Sequence, residues 1–170
     1  MAATTVGFGL GSNIGDAPAN LREALRLLGA RRVARLTDVS RIYRTAPWGD
    51  LDQGEFANAC AIGETSLAPY ELLAAVKTIE AEMGREPTRR WGPRLIDIDI
   101  LFYGAEAIDD PELTIPHKEL LARRFVLAPL AEIAPQLMLG GTTVKEALRR
   151  LDEGGVNLWE ADTTRGESKS

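Results

Sequence analysis

Two aspartates stand inside an apolar segment, and their spacing is the first sign of chemistry in this sequence. The segment LIDIDILFY, Leu95 to Tyr103, reads as a buried strand apart from Asp97 and Asp99. In a strand, residues i and i+2 project from one face, with Cα atoms about 6.5 to 7 Å apart. Like charges at this spacing repel, and Asp is depleted in strands. A solvated polar face is the simple alternative, but the pair also suits Mg²⁺ ions that share phosphate ligands.

Arginines directly precede this strand. Arg85, Arg89, Arg90 and Arg94 fall within ten residues. A solvated basic loop is one interpretation. Beside a metal site a polyphosphate clamp is favoured, because guanidinium groups bind phosphate through paired donors. Metal-binding acids surrounded by arginines are typical of phosphoryl transfer. Trp91, in the same loop, is either a core residue or a flat wall for an aromatic substrate.

The only histidine, His117, lies in TIPHKELLARRF, just before Arg123 and Arg124. A lone histidine is usually structural, but this placement makes a phosphate contact an equal alternative. The sequence has no glycine-rich loop ending in Lys-Ser/Thr, so it is not an ordinary P-loop kinase.

The bulk composition narrows the class of protein. The chain has 170 residues, 45% hydrophobic and 26% charged, which suits one globular domain. A net charge of −5 argues against a protein that coats nucleic acid or anionic membrane. Cys60 is the only cysteine, so no intramolecular disulfide forms, and we interpret it as a small core residue. Neither a signal peptide nor a membrane-spanning stretch is recognisable, which predicts a cytoplasmic protein.

Hydrophobic periodicity predicts an α+β fold with a ferredoxin-like β-α-β-β-α-β core. Helices would cover one face of its antiparallel sheet and leave the other for a site. The predicted core elements are strands at Thr4–Leu10, 33–43, Phe56–Ile62 and Leu95–Tyr103, a helix through Leu21, Leu25 and Leu28, and a helix through Leu72, Val76, Ile79 and Met83.

Further segments complete the predicted organisation. Two long loops, Arg44–Glu55 and Gly84–Pro93, are candidate lids. Helical and hairpin additions follow the core, with helices near Ala122–Ile133 and Val144–Leu151. Residues 1–151 are predicted to form a single domain, and residues 152–170 a polar, flexible tail in which Trp159 can dock.

Taken together, five segments resemble one family. They are GLGSNIGD, SRIYRTAPWG, FANACAIGETSLAP, RWGPRLIDIDILFYG and LTIPHKELLARRFVLAPLAEIAP, in family order and spacing from Val6 to about Leu137. The chain resembles the 6-hydroxymethyl-7,8-dihydropterin pyrophosphokinases of folate biosynthesis. The fourth segment is that family's signature and the most specific of the five.

The resemblance implies an enzyme that transfers pyrophosphate from ATP to the hydroxymethyl group of 6-hydroxymethyl-7,8-dihydropterin. AMP and the pterin diphosphate are the products, ATP is the co-substrate, and two Mg²⁺ ions are the cofactors. By this resemblance Asp97 and Asp99 hold both metals and act in catalysis, and Arg85 and Arg94 are the catalytic arginines. The two small-molecule substrates are the expected partners, with no nucleic acid or membrane, and the expected state is a monomer.

The resemblance also assigns residues to each substrate. The ATP-side positions are Lys77, Glu80, Arg85, Arg90, Trp91, Arg94, Ile100, Thr114, His117, Lys118 and Arg123. The pterin-side positions are Thr45, Ala46, Trp48, Phe56, Asn58, Trp91, Asp97 and Phe125.

The chemistry of the pterin-side residues fits this assignment. Phe56 and Phe125 can stack on a flat heterocycle, and Asn58 can pair with its amide edge. The alternatives are that both rings are plain core residues, that Asn58 caps a neighbouring turn, and that Thr45 and Trp48 only shape the loop.

A few positions depart from the family pattern. Ala46 precedes Pro47 where two prolines are frequent, and Phe56 stands where tyrosine is frequent. Pro87 replaces the second arginine of a Gly-Arg-x-Arg element, and Lys77 stands where glutamine is common.

Two rival functions stay open. A metal-dependent nucleotide phosphohydrolase would use the same carboxylates and arginines. A non-catalytic RNA-binding module would expose alternating aromatic residues with a basic surround. The aspartates and the negative net charge disfavour the RNA-binding module.

Overall fold

The computed structural model describes residues 3–45, 55–84, 95–151 and 156–159. The helices are α1 (Ala17–Ala30), α2 (Pro69–Glu82), α3 (Arg124–Ile133) and α4 (Val144–Arg149), with a 3₁₀ turn at Leu120–Ala122. The strands are β1 (Thr4–Ser12), β2 (Arg35–Val39), β3 (Tyr43–Thr45), β4 (Phe56–Thr65), β5 (Asp97–Tyr103), β6 (Ile108–Asp109), β7 (Thr114–Ile115), β8 (Met138–Leu139), β9 (Thr142–Thr143) and β10 (Val156–Leu158).

The main sheet is antiparallel and confirms the predicted α+β class. Its strands run in the order β10-β3-β4-β1-β5, and β2 also pairs with β4. The extended segment predicted over 33–43 is divided into β2 and β3, which pair with successive parts of β4. Ser40 lies at the break, where its Oγ accepts a hydrogen bond from the Cys60 backbone N–H at 2.9 Å. The side chain replaces a strand partner there, so the backbone can leave the ladder.

Helices α1 and α2 cover the first face of the sheet. Asp16 caps α1 by accepting from the Ala19 N–H, and Glu71 caps α2 by accepting from the Ala68 N–H. Between these helices and the sheet lies the larger apolar core, which contains Val6, Phe8, Leu10, Leu21, Leu28, Leu72, Val76, Ile79, Ile96, Ile98 and Ile100.

Helices α3 and α4 cover part of the second face, which the sequence predicts to be open. Cys60 and Leu101 of the sheet pack there against apolar residues of α3 and α4, including Leu127 and Val144. The prediction that Cys60 is a core residue is confirmed, since it is 1% exposed. Burial raises the pKa of its thiol far above the usual value, so the cysteine is unsuited to be a nucleophile. The aspartates lie on the part of this face that none of the described helices covers.

The end of the chain also joins the sheet. Strand β10 pairs with β3, and the Trp159 N–H donates to the Ile42 carbonyl at 2.9 Å while its ring packs on the larger core. Residues 156–159 of the predicted tail thus contact the sheet and its core, and Trp159 docks as the sequence allows. The flexibility of residues 152–170 stays a prediction. The two predicted lid loops lie, apart from their end residues, outside the described residues. In the part of the chain that the structure describes, no helix is long and apolar enough to cross a membrane.

Candidate active site

Strand β5 separates apolar and acidic side chains onto opposite faces. Ile98 and Ile100 are each 5% exposed, whereas Asp97 and Asp99, which alternate with them along the strand, are partly exposed. The side chain of Asp99 is 47% accessible. The predicted arrangement, two carboxylates side by side above an apolar strand, is what the structure contains.

Glu80 of α2 secures the free edge of β5. Its side chain is almost buried, and its Oε2 accepts a hydrogen bond from the Ile98 N–H at 2.7 Å. Ile98 lies between the two aspartates, and β5 is the last strand of the sheet on this side. A buried edge amide needs a partner. Glu80 therefore holds the strand segment that carries both carboxylates.

His117 approaches the same carboxylates from the segment after β7. Its backbone N–H donates to the Leu101 carbonyl at 2.9 Å, which ties it to β5. Its ring Nδ1 accepts from the Glu119 N–H at 3.2 Å, so in the neutral ring the proton is on Nε2. Nε2 lies 3.8 Å from Asp99 Oδ2, which is too far for a direct hydrogen bond.

A cleft of about 280 Å³ opens between α2, β5 and the β6–β7 turn. It is lined by Leu73, Lys77, Glu80, Asp97, Ile98, Asp99, Ile100, Pro111, Glu112, Leu113, Thr114, His117 and Lys118. Eight of the residues assigned from the family resemblance are therefore brought together here. These are Lys77, Glu80, Asp97, Asp99, Ile100, Thr114, His117 and Lys118.

The turn that forms one wall of this cleft was not singled out from the sequence. Asp110 shapes it, because its Oδ1 accepts from the Glu112 N–H at 2.9 Å and from the Leu113 N–H at 3.0 Å. The Tyr70 hydroxyl donates to the other oxygen of the same carboxylate and ties the turn to α2. An Asp two and three residues before the amides that it caps is a turn signal in the sequence, but nothing local places that turn beside β5.

The pterin-side residues lie on the same face as the aspartates. Asn58 of β4 is opposite Gly11 of β1, and Gly11 is opposite Asp97 of β5. Directly opposed residues share a face, so these three form one row about 9.5 Å wide from Asn58 to Asp97. Asn58 Nδ2 donates to Thr45 Oγ1 at 2.8 Å, and both residues are buried. The predicted alternative for Asn58, a turn cap, is not the contact found.

Gly11 is a site residue that the sequence reasoning missed. A Cβ at Gly11 would lie 3.2 Å from Asn58 Oδ1 and 4.0 Å from the Phe56 ring. The missing side chain therefore leaves an open floor between Asn58 and Asp97. The sequence holds a signal for this, because Gly7, Gly9 and Gly11 alternate along β1 and a strand repeats every two residues. The predicted strand ends at Leu10, so Gly11 lies just outside it.

The remaining described site residues, Arg123 and Phe125, lie at the start of α3. The Arg123 guanidinium carbon lies 5.5 Å from the centre of the Phe125 ring, within the range of a cation–π contact. Arg123 also forms an ion pair with Glu119. Phe125 is only partly buried and packs at the margin of the second-face core. The other predicted site residues, Ala46, Trp48, Arg85, Arg90, Trp91 and Arg94, lie outside the described residues.

The available oxygen ligands suit Mg²⁺ better than a metal ion whose ligands all come from protein side chains. In the described ranges, no three acidic, histidine or cysteine side chains converge as metal ligands. Asp97 and Asp99 supply hard carboxylate oxygens beside a polar cleft. Mg²⁺ is commonly bound through one or two carboxylates, with water and substrate phosphates as its other ligands.

This fold and site define a class of protein, an antiparallel α+β domain with paired carboxylates beside a cleft suited to phosphoryl transfer. The family model described as 7,8-dihydro-6-hydroxymethylpterin-pyrophosphokinase (HPPK) matches residues 7–135, and the chain belongs to this family.

Individual relatives agree with the family. A protein of Methylorubrum extorquens named 2-amino-4-hydroxy-6-hydroxymethyldihydropteridine pyrophosphokinase is 50% identical over 153 residues, 90% of this chain and 97% of its own length. A Bacillus subtilis protein of the same name is 44% identical over 151 residues, 89% of this chain and 87% of its own. The crystal structure of a doubly substituted Plasmodium falciparum HPPK-DHPS with pterin and p-hydroxybenzoate is similar, with a TM-score of 0.72. At 16% identity, over 88% of this chain and 43% of that one, it supports the fold alone.

Proposed function

We propose that this chain transfers the pyrophosphoryl group of ATP to the hydroxymethyl group of 6-hydroxymethyl-7,8-dihydropterin, in folate biosynthesis. The observation that carries the proposal is the row from Asn58 through Gly11 to Asp97. In this row only Gly11 separates the Asn58 amide, which could pair with a heterocycle, from the Asp97 carboxylate, which could bind a metal. Membership of the pyrophosphokinase family and relatives named for this reaction support the same activity.

Asp97 and Asp99 are the residues that would hold two Mg²⁺ ions. Both lie on the face that the pterin-side residues share, and both line the cleft. When bound, Mg²⁺ neutralises phosphate charge and helps to align the reacting groups. The structural task of the protein is to keep the carboxylates side by side, which the Glu80–Ile98 hydrogen bond supports.

The cleft next to the aspartates is the proposed ATP site. Lys77 and His117 line it with a positive charge and an Nε2–H donor that can bind phosphate oxygens. Thr114, Ile100 and Lys118 complete the wall on the nucleoside side. Arg85 and Arg94 remain the predicted arginines that neutralise charge on the phosphates during transfer. Arg90 and Trp91 remain predictions for the same substrate.

The pterin is proposed to lie over the open row, between Phe56 and Phe125. Each ring is only partly buried, which leaves surface for stacking. Because Asn58 Nδ2 is bound to Thr45, its Oδ1 lies on the Gly11 side as an acceptor for the N–H groups of the heterocycle. In this pose the hydroxymethyl group extends toward Asp97, where it can attack the β-phosphorus of ATP in line.

The test is AMP formation from ATP and Mg²⁺, with and without 6-hydroxymethyl-7,8-dihydropterin. We expect AMP only when the pterin is present and no product when EDTA removes the metal. ADP, or turnover without pterin, would contradict the proposal and favour the phosphohydrolase. A monomeric state and a cytoplasmic location stay predictions that this assay does not address.

A further inference from the structure

One carboxylate near the end of α3 is bound to the segment that leads into β3. The Tyr43 hydroxyl donates to Glu132 Oε1 at 2.6 Å. The Arg41 backbone N–H donates to both oxygens of Glu132, at 3.3 and 3.2 Å, and Arg41 Nε donates to Oε2 at 3.3 Å. Neither Tyr43 nor Glu132 has a role in the proposed reaction, although each lies in a segment that carries the family resemblance.

These two residues lie between the sheet and helix sides of the pterin site. Tyr43 is directly opposite Asn58 in the sheet and two residues before Thr45, so it shares their face. Glu132 belongs to the helix whose first turn carries Phe125. The hydrogen bond therefore connects the strand beside the polar recognition group to the helix that presents one of the stacking rings.

The Tyr43–Glu132 contact is a strong hydrogen bond. Its acceptor is a carboxylate, and charge-assisted hydrogen bonds are shorter and stronger than neutral ones. Burial, followed by the hydrogen bond to Glu132, raises the pKa of Tyr43 to about 12. The hydroxyl consequently stays a donor throughout the physiological pH range.

We propose that the Tyr43–Glu132 hydrogen bond is a positioning device that sets how far Phe125 on α3 lies from Asn58 on β4. The inference rests on the proposed function, because the spacing matters only if a flat heterocycle binds between sheet and helix. Neither residue is proposed to touch the substrate. Loss of the bond lets α3 shift relative to β3, and a small displacement of binding groups is costly when the substrate must be aligned.

The test compares two tyrosines whose hydroxyls each donate one hydrogen bond, in different parts of the molecule. Tyr43→Phe removes only the hydroxyl that binds Glu132. Tyr103→Phe is the matched control, because the Tyr103 hydroxyl donates to the Leu67 carbonyl at 2.5 Å in the core on the other side of the sheet. Both variants lose one tyrosine hydrogen bond, so a general loss of stability affects both.

For each variant, the KM values for pterin and ATP, kcat and the melting temperature are measured. We expect Tyr43→Phe to raise the pterin KM about tenfold and to leave the ATP KM unchanged. Tyr103→Phe should lower the melting temperature and leave the pterin KM unchanged. Glu132→Ala, which also removes the Arg41 contacts, should raise the pterin KM at least as much as Tyr43→Phe. Glu132→Gln, which keeps an acceptor, should give a smaller rise.

An unchanged pterin KM in Tyr43→Phe, or an equal rise in Tyr103→Phe, would overturn the inference and leave only a structural contact. Failure of the proposed function would be visible separately, since the wild-type protein would then form no AMP with pterin.

Discussion

The two faces of the central sheet differ in how the helices cover them. Under α1 and α2 the first face is apolar and closed, with Leu10, Ile98 and Ile100 almost fully buried. On the second face, α3 and α4 cover only part of the sheet, and Asp97 and Asp99 lie at its uncovered end. Neighbouring residues of β5 thus alternate between the packed core and the partly exposed face.

Because the two faces differ in this way, we expect substitutions on each face to change stability and activity separately. Leu10 and Gly11 are adjacent in β1, yet Leu10 packs in the closed core, whereas Gly11 places no side chain on the site face beside Asn58. A substitution on the first face should therefore mainly change the free energy of unfolding. A substitution on the second face should mainly change turnover or substrate binding.

The largest expected effect is on the second face. Asp97→Ala or Asp99→Ala should lower turnover by about 100-fold or more, because a group that supports charge in the transition state is lost. The melting temperature of the metal-free protein should stay equal or rise, since a repulsive pair is removed. AMP assays and thermal melts in EDTA measure the two quantities. Asp109→Ala, an exposed acid outside the cleft, is the control, and near-normal turnover in either site variant would refute the metal assignment.

On the first face, Leu10→Ala should mainly reduce stability. Leu10 is 3% exposed, and removing such a side chain costs about 2 to 5 kcal/mol of unfolding free energy. For a chain of this size the melting temperature should fall by roughly 5 to 15 °C. At a temperature well below the transition, kcat should stay within about twofold of wild type. A large kcat loss in fully folded protein would mean that the two faces are coupled.

Next to Leu10, Gly11→Ala should change substrate binding. The added methyl would press on Asn58 Oδ1 and occupy the floor between Asn58 and Asp97, so the pterin KM should rise about tenfold. Gly9→Ala is the control on the same face of β1, because its added Cβ would meet the Leu101 side chain at 3.3 Å. Steady-state kinetics with varied pterin separates the variants, and an equal KM rise in both would remove the special role of Gly11.

The smallest effect concerns pH. Tyr43 has a pKa raised to about 12, above the ordinary value of 10, because burial and Glu132 oppose its ionisation more than Arg41 favours it. The fold therefore favours the protonated tyrosine. The hydroxyl of Tyr43 therefore contributes fully to the free energy of unfolding below pH 10, and this contribution is lost as the pH rises through 12. The difference in melting temperature between wild type and Tyr43→Phe should shrink over this range. A constant difference would show that the hydroxyl adds no pH-dependent stability.

Much of the site was recognisable from local pattern. The alternation of Ile and Asp in β5 predicted both the closed face and the paired carboxylates, because strand periodicity depends only on adjacent residues. The interpretation of Cys60 as a core residue was equally local. The ATP-side and pterin-side residues came from the resemblance, and those in the loops around Trp48 and Arg90 stay predictions.

Other features depended on segments that are distant in the sequence. Tyr43 and Glu132 are 89 residues apart, and Glu80 reaches an edge amide 18 residues away. The pairing of β10 with β3 is equally non-local. No periodicity in one segment encodes which carboxylate reaches which strand, since that depends on how the helices pack.

The sequence by itself determined the kind of chemistry, the order of the core elements and the face on which the carboxylates lie. Tertiary structure alone decided how much of that face stays open, which carboxylate supports the edge of β5, and which hydrogen bond joins β3 to α3. The physical reason is the distance along the sequence over which each effect acts. Residue type and strand period act over a few residues, whereas the site geometry arises from contacts made only when the sheet and its helices pack together.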